Sequence, residues 1–272
     1  MSVINTNVSA LLAQNAMTKN SRAQGAAMEQ LSTGSRINSA KDDAAGLAIG
    51  QSMTTQVRGL NQAVRNLNDG VNMMQTAEGA LNETSNMLQR MRELAVQASN
   101  GTYSVTQRLY LDTEFQALGE QITKVSTQTK WNDQSLLTTS TNFVFQAGKD
   151  NTQTITATIT DMGAMALTVT AVIISVATVT GSALAITALD TAIGKVNAQR
   201  ASIGAVINQM TYAVDNLSNV SANASASRSS IMDTDYAAAS TQLSKTQIIQ
   251  QAATAMLAQA NQQPQAVLSL LK

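Results

Sequence analysis

The chain has 272 residues, 17 of them basic and 17 acidic, with no cysteine and no histidine. This excludes a disulfide framework and thiol chemistry, removes the usual zinc and copper ligands and the commonest general base, and leaves no basic patch for nucleic acid or polybasic run for a membrane surface. Hydrophobic residues make up 44% but aromatics only 3%, so the apolar load falls on Ala, Leu, Ile, Val and Met, which suit thin helix–helix seams better than a core anchored by rings.

The first segment, 1–43, opens without a basic stretch followed by an apolar run, so it does not read as a secretory signal peptide. It carries a weak apolar stripe through Val3, Ile4, Val8, Leu11, Leu12, Ala16, Ala23, Ala27 and Leu31. Arg36 and Lys41-Asp42-Asp43 read as a polar connector whose charges pair between neighbouring copies. Two carboxylates without a histidine or metal ligands are a poor basis for catalysis.

Residues 44–140 read as helices. A heptad seam runs through Leu60, Val64, Leu67, Val71 and Met74, then, shifted in phase, through Ala77, Leu81, Met87, Met91, Leu94 and Ala98. Gly46, Gly50, Gly59, Gly70 and Gly79 form no phosphate-binding fingerprint and instead permit close approach of neighbouring helices. Asn100-Gly101 reads as a stop with Gly in the left-handed conformation. Ser104-Val-Thr-Gln107 fits a capping box for a third helix with Leu111, Phe115, Leu118, Ile122 and Val125, ending between Thr129 and Asn132.

Residues 141–182 change period. Thr154–Thr160 alternates polar and apolar, as a half-buried strand does; Phe143-Val-Phe145 is its hairpin partner through Gly148–Asn151. Leu167–Thr180 reads as strand or extended loop, with Val172–Val176 as an edge strand or a subunit contact, and Gly181-Ser182 resets the chain. Apolar stretches such as Ala171–Ile174 are far too short to span a bilayer, so no membrane insertion is expected.

Residues 183–234 give the strongest signal. Ile186, Leu189, Ile193, Val196, Ile203, Ile207, Met210, Val214, Leu217, Ala224 and Ile231 keep one heptad phase, with Arg200, Ser221 and Arg228 in the remaining seam positions. That is roughly 70 Å of helix. The last segment, 235–272, repeats the thin pattern of the first: Ile248, Ile249, Ala252, Ala253, Met256, Leu257 and Ala260, then Val267, Leu268, Leu270 and Leu271. The two end segments can form one antiparallel coil. Each alone buries too little to offset its ordering entropy, so both are expected to order only on assembly. The fold class is mainly α: a long antiparallel coiled-coil rod with a small β-hairpin in mid-chain.

These residues resemble bacterial flagellin along essentially the whole chain. The N-terminal motifs are Ile4-Asn-Thr-Asn7, Leu31-Ser-Thr-Gly34, Arg36 through Ile49, Asn68-Asp-Gly70, Gln75 through Leu81, Leu88-Gln-Arg90 and Arg92 through Gln97. The C-terminal ones are Ser227-Arg228, Asp233-Thr-Asp-Tyr236, Leu243-Ser-Lys245, Leu257 through Gln262, Pro264-Gln265 and Val267 through Leu271. The resemblance implies a minimal flagellin without large outer domains. Its end segments build an inner core and its other helices a surrounding shell. It implies a self-polymerising extracellular filament subunit used for motility, exported by a type III route without a cleaved signal peptide. It implies no enzymatic activity and no cofactor. Its partners would be further copies of itself, an export chaperone, a filament cap and hook-junction proteins.

Within the end segments, Ile4, Val8, Leu11 and Leu12 with Ile249, Ala253, Met256, Leu257, Leu268 and Leu271 are the expected self-assembly residues. Gln89, Arg90, Leu94 and Glu114 match positions by which some flagellins meet the innate receptor Toll-like receptor 5, although packing is the primary role expected of that surface. A hook–filament junction protein would share the terminal architecture, but the density of flagellin motifs in both arms argues against one.

Overall fold

The computed structural model describes residues 6–164, 166–169 and 175–269, with 263–269 as helix backbone only. Helix α1 (Val8–Thr33) is followed by α2 (Ala44–Ser99) and α3 (Val105–Gln128). Two short antiparallel ladders come next: β1 (Lys130–Trp131) with β2 (Gln134–Ser135), and β3 (Thr141–Gln146) with β4 (Thr154–Ile159). The chain closes with α4 (Val179–Met232) and α5 (Tyr236–Ser269). This is the mainly α chain with a mid-chain hairpin expected from the periodicity. It divides into two compact units, Arg58–Ser221 and the pair Met1–Val57 with Ala222–Lys272, and α2 and α4 each run through both.

The central unit has a closed core. Met74, Leu81, Leu88, Met91 and Leu94 of α2, Phe115 and Ile122 of α3, and Leu189, Val196 and Ile203 of α4 are all buried in one cluster. The three- and four-residue spacing within each helix turns one stripe inward, as amphipathic packing requires. In the hairpin, Phe143 faces Ala157 and Phe145 faces Ile155. Ile155, Ala157 and Ile159 alternate inward against exposed threonines. Gly70 makes room for the hairpin: a β-carbon there would stand 2.9 Å from the Phe145 ring and 3.2 Å from Met210 Sδ. Buried Gln199 of α4 holds the end of β4, donating to the Thr158 carbonyl at 3.0 Å and accepting from the Thr160 hydroxyl at 2.9 Å. The capping box of α3 forms as expected, with both reciprocal bonds between Ser104 and Gln107.

Several boundaries differ from the sequence expectation. Gly101 does not end α2 in a left-handed turn; among the described residues Gly34 is the glycine with positive φ. The last carbonyls of α2 are satisfied otherwise: that of Val96 by the Ser99 hydroxyl, that of Gln97 by the Asn100 N–H, and that of Ala98 by the guanidinium of buried Arg108. The long C-terminal helix starts at Val179, so Gly181 lies in its first turn and resets nothing. Thr178 caps it, accepting from the Gly181 N–H at 3.1 Å, as hydroxyl residues before a helix commonly do. Leu167 and Val169 are buried, but in a turn and not a strand. Within Val172–Val176, residues 172–174 lie outside the described residues. Ser175 and Val176 are irregular and pinned to α3, the Val176 N–H donating to Asp112 at 2.7 Å. The β1–β2 ladder was not foreseen; Asn132 and Asp133 both take positive φ in its two-residue turn, which suits these residue types.

Candidate assembly surface

The terminal unit pairs α1 with α5, antiparallel. Asn7 caps α1 by accepting from the Ala10 N–H, and its own amide donates across to the Ala260 carbonyl at 2.7 Å. Thirteen residues further along α1, Asn20 donates to the Thr246 carbonyl at 2.7 Å and to Gln250 Oε1 at 3.1 Å. Rising numbers on one helix thus meet falling numbers on the other. The α1 residues turned inward are Ala10, Ala13, Met17, Asn20, Gln24, Ala27 and Leu31; those of α5 are Ala239, Leu243, Thr246, Gln250, Ala253, Leu257 and Ala260. Each set keeps heptad spacing, but most members are small or polar, so little apolar surface is covered.

The base of this pair is closed within the chain. Gly34 at φ 72° caps α1. Ser35 and Asp233 form an isolated antiparallel bridge, and the Thr234 N–H donates to the Gly34 carbonyl at 3.0 Å. Arg36 donates through its backbone to Met232 and through its guanidinium to Ile231. Asp42 accepts from the Asn38 and Ser39 backbones and the Ser39 hydroxyl, and Asp43 accepts from the Gly46 N–H. The connector charges expected to serve neighbouring copies therefore have partners in their own chain. The Ser39 hydroxyl bond, with the two backbone donors, holds the Asp42 carboxyl below its ordinary range.

The proposed assembly residues fall into distinct sets. Ala253 and Leu257 lie in the α1–α5 seam and are half-buried. Val8, Leu11, Leu12, Ile249 and Met256 point away from it, with Leu12 64% and Met256 66% exposed, as is Ile248 nearby. Ile4 and Leu271 lie outside the described residues, as does the side chain of Leu268. In the fold the end segments are helical and paired with each other, as the antiparallel coil expected of them requires. What stays uncovered is their large apolar faces. The sequence reading passed over Asn20, Thr246 and Gln250 because it followed apolar residues only. The regular four-and-three spacing from Ala239 to Ala260 was the signal that could have found them.

On the central unit, Arg90 donates to Glu114 at 2.9–3.0 Å and to Glu93 at 3.1 Å. These bonds, that to Glu114 foremost, raise the guanidinium pKa further. Gln89 is exposed beside them. Leu94 is not a surface group: it is 1% exposed and part of the core, because its heptad position turns it inward with Leu81 and Leu88. Among the described residues no group of three or more acidic side chains is placed to hold a metal, and no helix is long and apolar enough to cross a membrane.

Residues 4–142 match the bacterial flagellin N-terminal helical region and residues 186–271 the bacterial flagellin C-terminal helical region. The chain is 43% identical over 271 residues to a flagellin of Halalkalibacterium halodurans, covering 99% of this chain and 100% of that one. It is 41% identical over 302 residues to a flagellin of Bacillus subtilis, covering 99% of each. The crystal structure of Bacillus cereus flagellin aligns with a TM-score of 0.51 at 32% identity, covering 56% of this chain and 88% of that one. With both helical regions matched and these relatives spanned end to end, the chain belongs to the bacterial flagellins, structural subunits of the flagellar filament and not enzymes.

Proposed function

We infer that the subunit polymerises through the outward apolar faces of α1 and α5, with the terminal unit forming the inner core of the filament and the central unit its shell. The observation that carries this is the mismatch within one helix pair: small and polar residues are used inside, while Val8, Leu11, Leu12, Ile248, Ile249 and Met256 stand exposed. Burying one such side chain stabilises by about 1.5–3 kcal/mol, so six contribute on the order of 10 kcal/mol. Association itself costs about 4–15 kcal/mol. One pairwise contact is therefore marginal, and stable association needs several neighbours at once, as in a helical lattice.

Seeded polymerisation followed by electron microscopy tests this. Ile249→Asp should leave a folded monomer that does not extend seeds, because a carboxylate buried without a partner is costly. Filaments of ordinary length from Ile249→Asp would sink the reading. Leu257→Asp should also fail, but through the seam, with loss of α1–α5 helix content in the monomer.

Family membership supports export without a cleaved signal peptide, with a chaperone, a filament cap and hook-junction proteins as partners. Recognition by Toll-like receptor 5 is a secondary role, resting on exposed Gln89, Arg90 and Glu114 without Leu94. Because Arg90 is already engaged by two carboxylates, a receptor must compete for it. A cell reporter silent to pure monomer would remove this role.

A further inference from the structure

We propose that Met256 is an oxidation site that controls assembly: a peroxide-class oxidant converts its thioether to a sulfoxide in the free subunit and so keeps that subunit out of a filament. The inference rests on the assembly reading above. The chain has 13 methionines and no cysteine, so methionine supplies its only oxidisable sulfur. The methionines are unevenly placed. In the central unit Met73, Met74, Met91, Met162 and Met210 are buried and Met87 is half-buried. Among the described methionines the exposed ones are Met28 at 55% and Met256 at 66%, and both lie on the terminal helices α1 and α5. Susceptibility to oxidation follows exposure. An end segment that unpairs in the free subunit exposes these sulfurs further, so the contrast with the central core does not depend on the α1–α5 pairing.

Ile249 and Met256 stand one heptad apart on α5, so the Met256 side chain continues the outward apolar stripe of Ile249. The thioether sulfur attacks one oxygen of the peroxide; the O–O bond breaks, that oxygen stays on sulfur, and the other leaves as water with the peroxide protons. Sulfur is oxidised by the electron pair that reduces the peroxide. The product exchanges a flexible apolar side chain for a polar, chiral one. The sulfoxide oxygen is a hydrogen-bond acceptor, and a face made of Val8, Leu11, Leu12, Ile248 and Ile249 side chains has no donor to offer it. Solvent hydrates that oxygen in the free subunit, whereas assembly would bury it unpaired. The methionines enclosed in the central core keep their thioethers, so the modified subunit stays folded there and loses only its assembly face.

Free subunit treated with dilute hydrogen peroxide, mapped by peptide mass spectrometry and then offered to seeds, tests this. Met28 and Met256 should oxidise before Met73, Met74 and Met91, with Trp131 fluorescence unchanged. The critical concentration for polymerisation should rise by about tenfold or more, because a buried acceptor without a donor is costly. Met256→Leu keeps size and apolarity; it should polymerise normally and stay competent after the same treatment, whereas Met28→Leu should give no protection. Methionine sulfoxide reductases for both epimers should restore polymerisation. Met256 in preformed filaments should resist the oxidant. Oxidised subunit that extends seeds as well as untreated subunit overturns the proposal, as does a Met256→Leu subunit that is inactivated like the parent chain. Oxidation of Met256 as fast in filaments as in free subunit overturns it too. Ile249→Asp separates the two levels: if it still polymerises, the assembly reading has failed; if it does not while subunit oxidised at Met256 still polymerises, only the present proposal has.

Discussion

Replacing Arg108 with methionine isolates what ends α2. Methionine keeps most of the apolar stem, so packing changes little, while both guanidinium contacts vanish: Nε to the Ala98 carbonyl at 3.0 Å and Nη2 to the Asn100 carbonyl at 3.2 Å. Ala98 is fully buried, so water does not readily replace its partner. Hydrogen bonds to charged groups contribute about 1.5–3 kcal/mol each. The Asn100 bond counts for less, because Asn100 is exposed and its carbonyl also accepts from the Tyr103 N–H. Losing a cation at a helix C-terminus adds about 0.3–1 kcal/mol. A destabilisation of about 2–4 kcal/mol follows. Urea unfolding read by the single tryptophan, Trp131, measures it in the unit concerned, with an unchanged denaturant slope showing that stability alone moved. The paired control is Gly101→Ala. Gly101 has no positive φ, and a β-carbon there meets nothing within 4 Å, so this change should be neutral or stabilise by a few tenths of a kcal/mol. If Arg108→Met costs under about 0.5 kcal/mol while Gly101→Ala costs more than 1 kcal/mol, then glycine and not arginine terminates the helix, and the reasoning fails.

Gly70→Ala should destabilise the central unit by about 1–3 kcal/mol by overpacking against Phe145 and Met210, again read by urea titration of Trp131. Gly34→Ala should cost about 1–2 kcal/mol, from the left-handed backbone and from Tyr236 Oη 2.9 Å from the new carbon; thermal melting by circular dichroism would register it. Asp42 has a lowered pKa in the folded chain, so its contribution is present above the ordinary carboxylate value and is lost as pH falls through the lowered one. Protection of the Asn38 and Ser39 amides, taken relative to the intrinsic exchange rate at each pH, should therefore fall on acidification, and Asp42→Asn should abolish most of that pH dependence.

The central unit was largely legible because its rules are local. Periodicity placed Leu189, Val196, Ile203 and Met210 on one stripe, and alternation placed Ile155 and Ile159 on the inner face of a strand. Hydrogen bonds between residues distant in sequence were not legible. Arg108 reaching back to Ala98, and Asp112 receiving the backbone of Val176, leave no pattern in composition or period, so the end of α2 was given to the nearest glycine. Leu94 shows a different limit. A family motif drew attention to it as a surface contact, while its heptad position had already placed it in the core; the packing decided. In the terminal unit the apolar stripes caught Ala27, Leu31, Ala253, Leu257 and Ala260 of the seam, but its polar members Asn20, Thr246 and Gln250 were missed because only apolar residues were followed.

The two units thus use the same helical period toward opposite ends. In the central unit the largest side chains turn inward, and Phe115, Leu81 and Met91 are wholly enclosed, so folding is satisfied by one chain. In the terminal unit most inward positions go to small or polar residues that gain little from burial, and Val8, Leu11, Leu12, Ile248, Ile249 and Met256 are left in water. A chain built this way has two separable free energies, one for folding and one for polymerisation. On the assembly reading proposed above, substitutions in the central core should move the first, and outward substitutions on α1 and α5 the second. On the same reading, a subunit that satisfied its terminal helices internally would be a more stable monomer and a poorer building block, which is why the seam is left weak and the outward faces apolar.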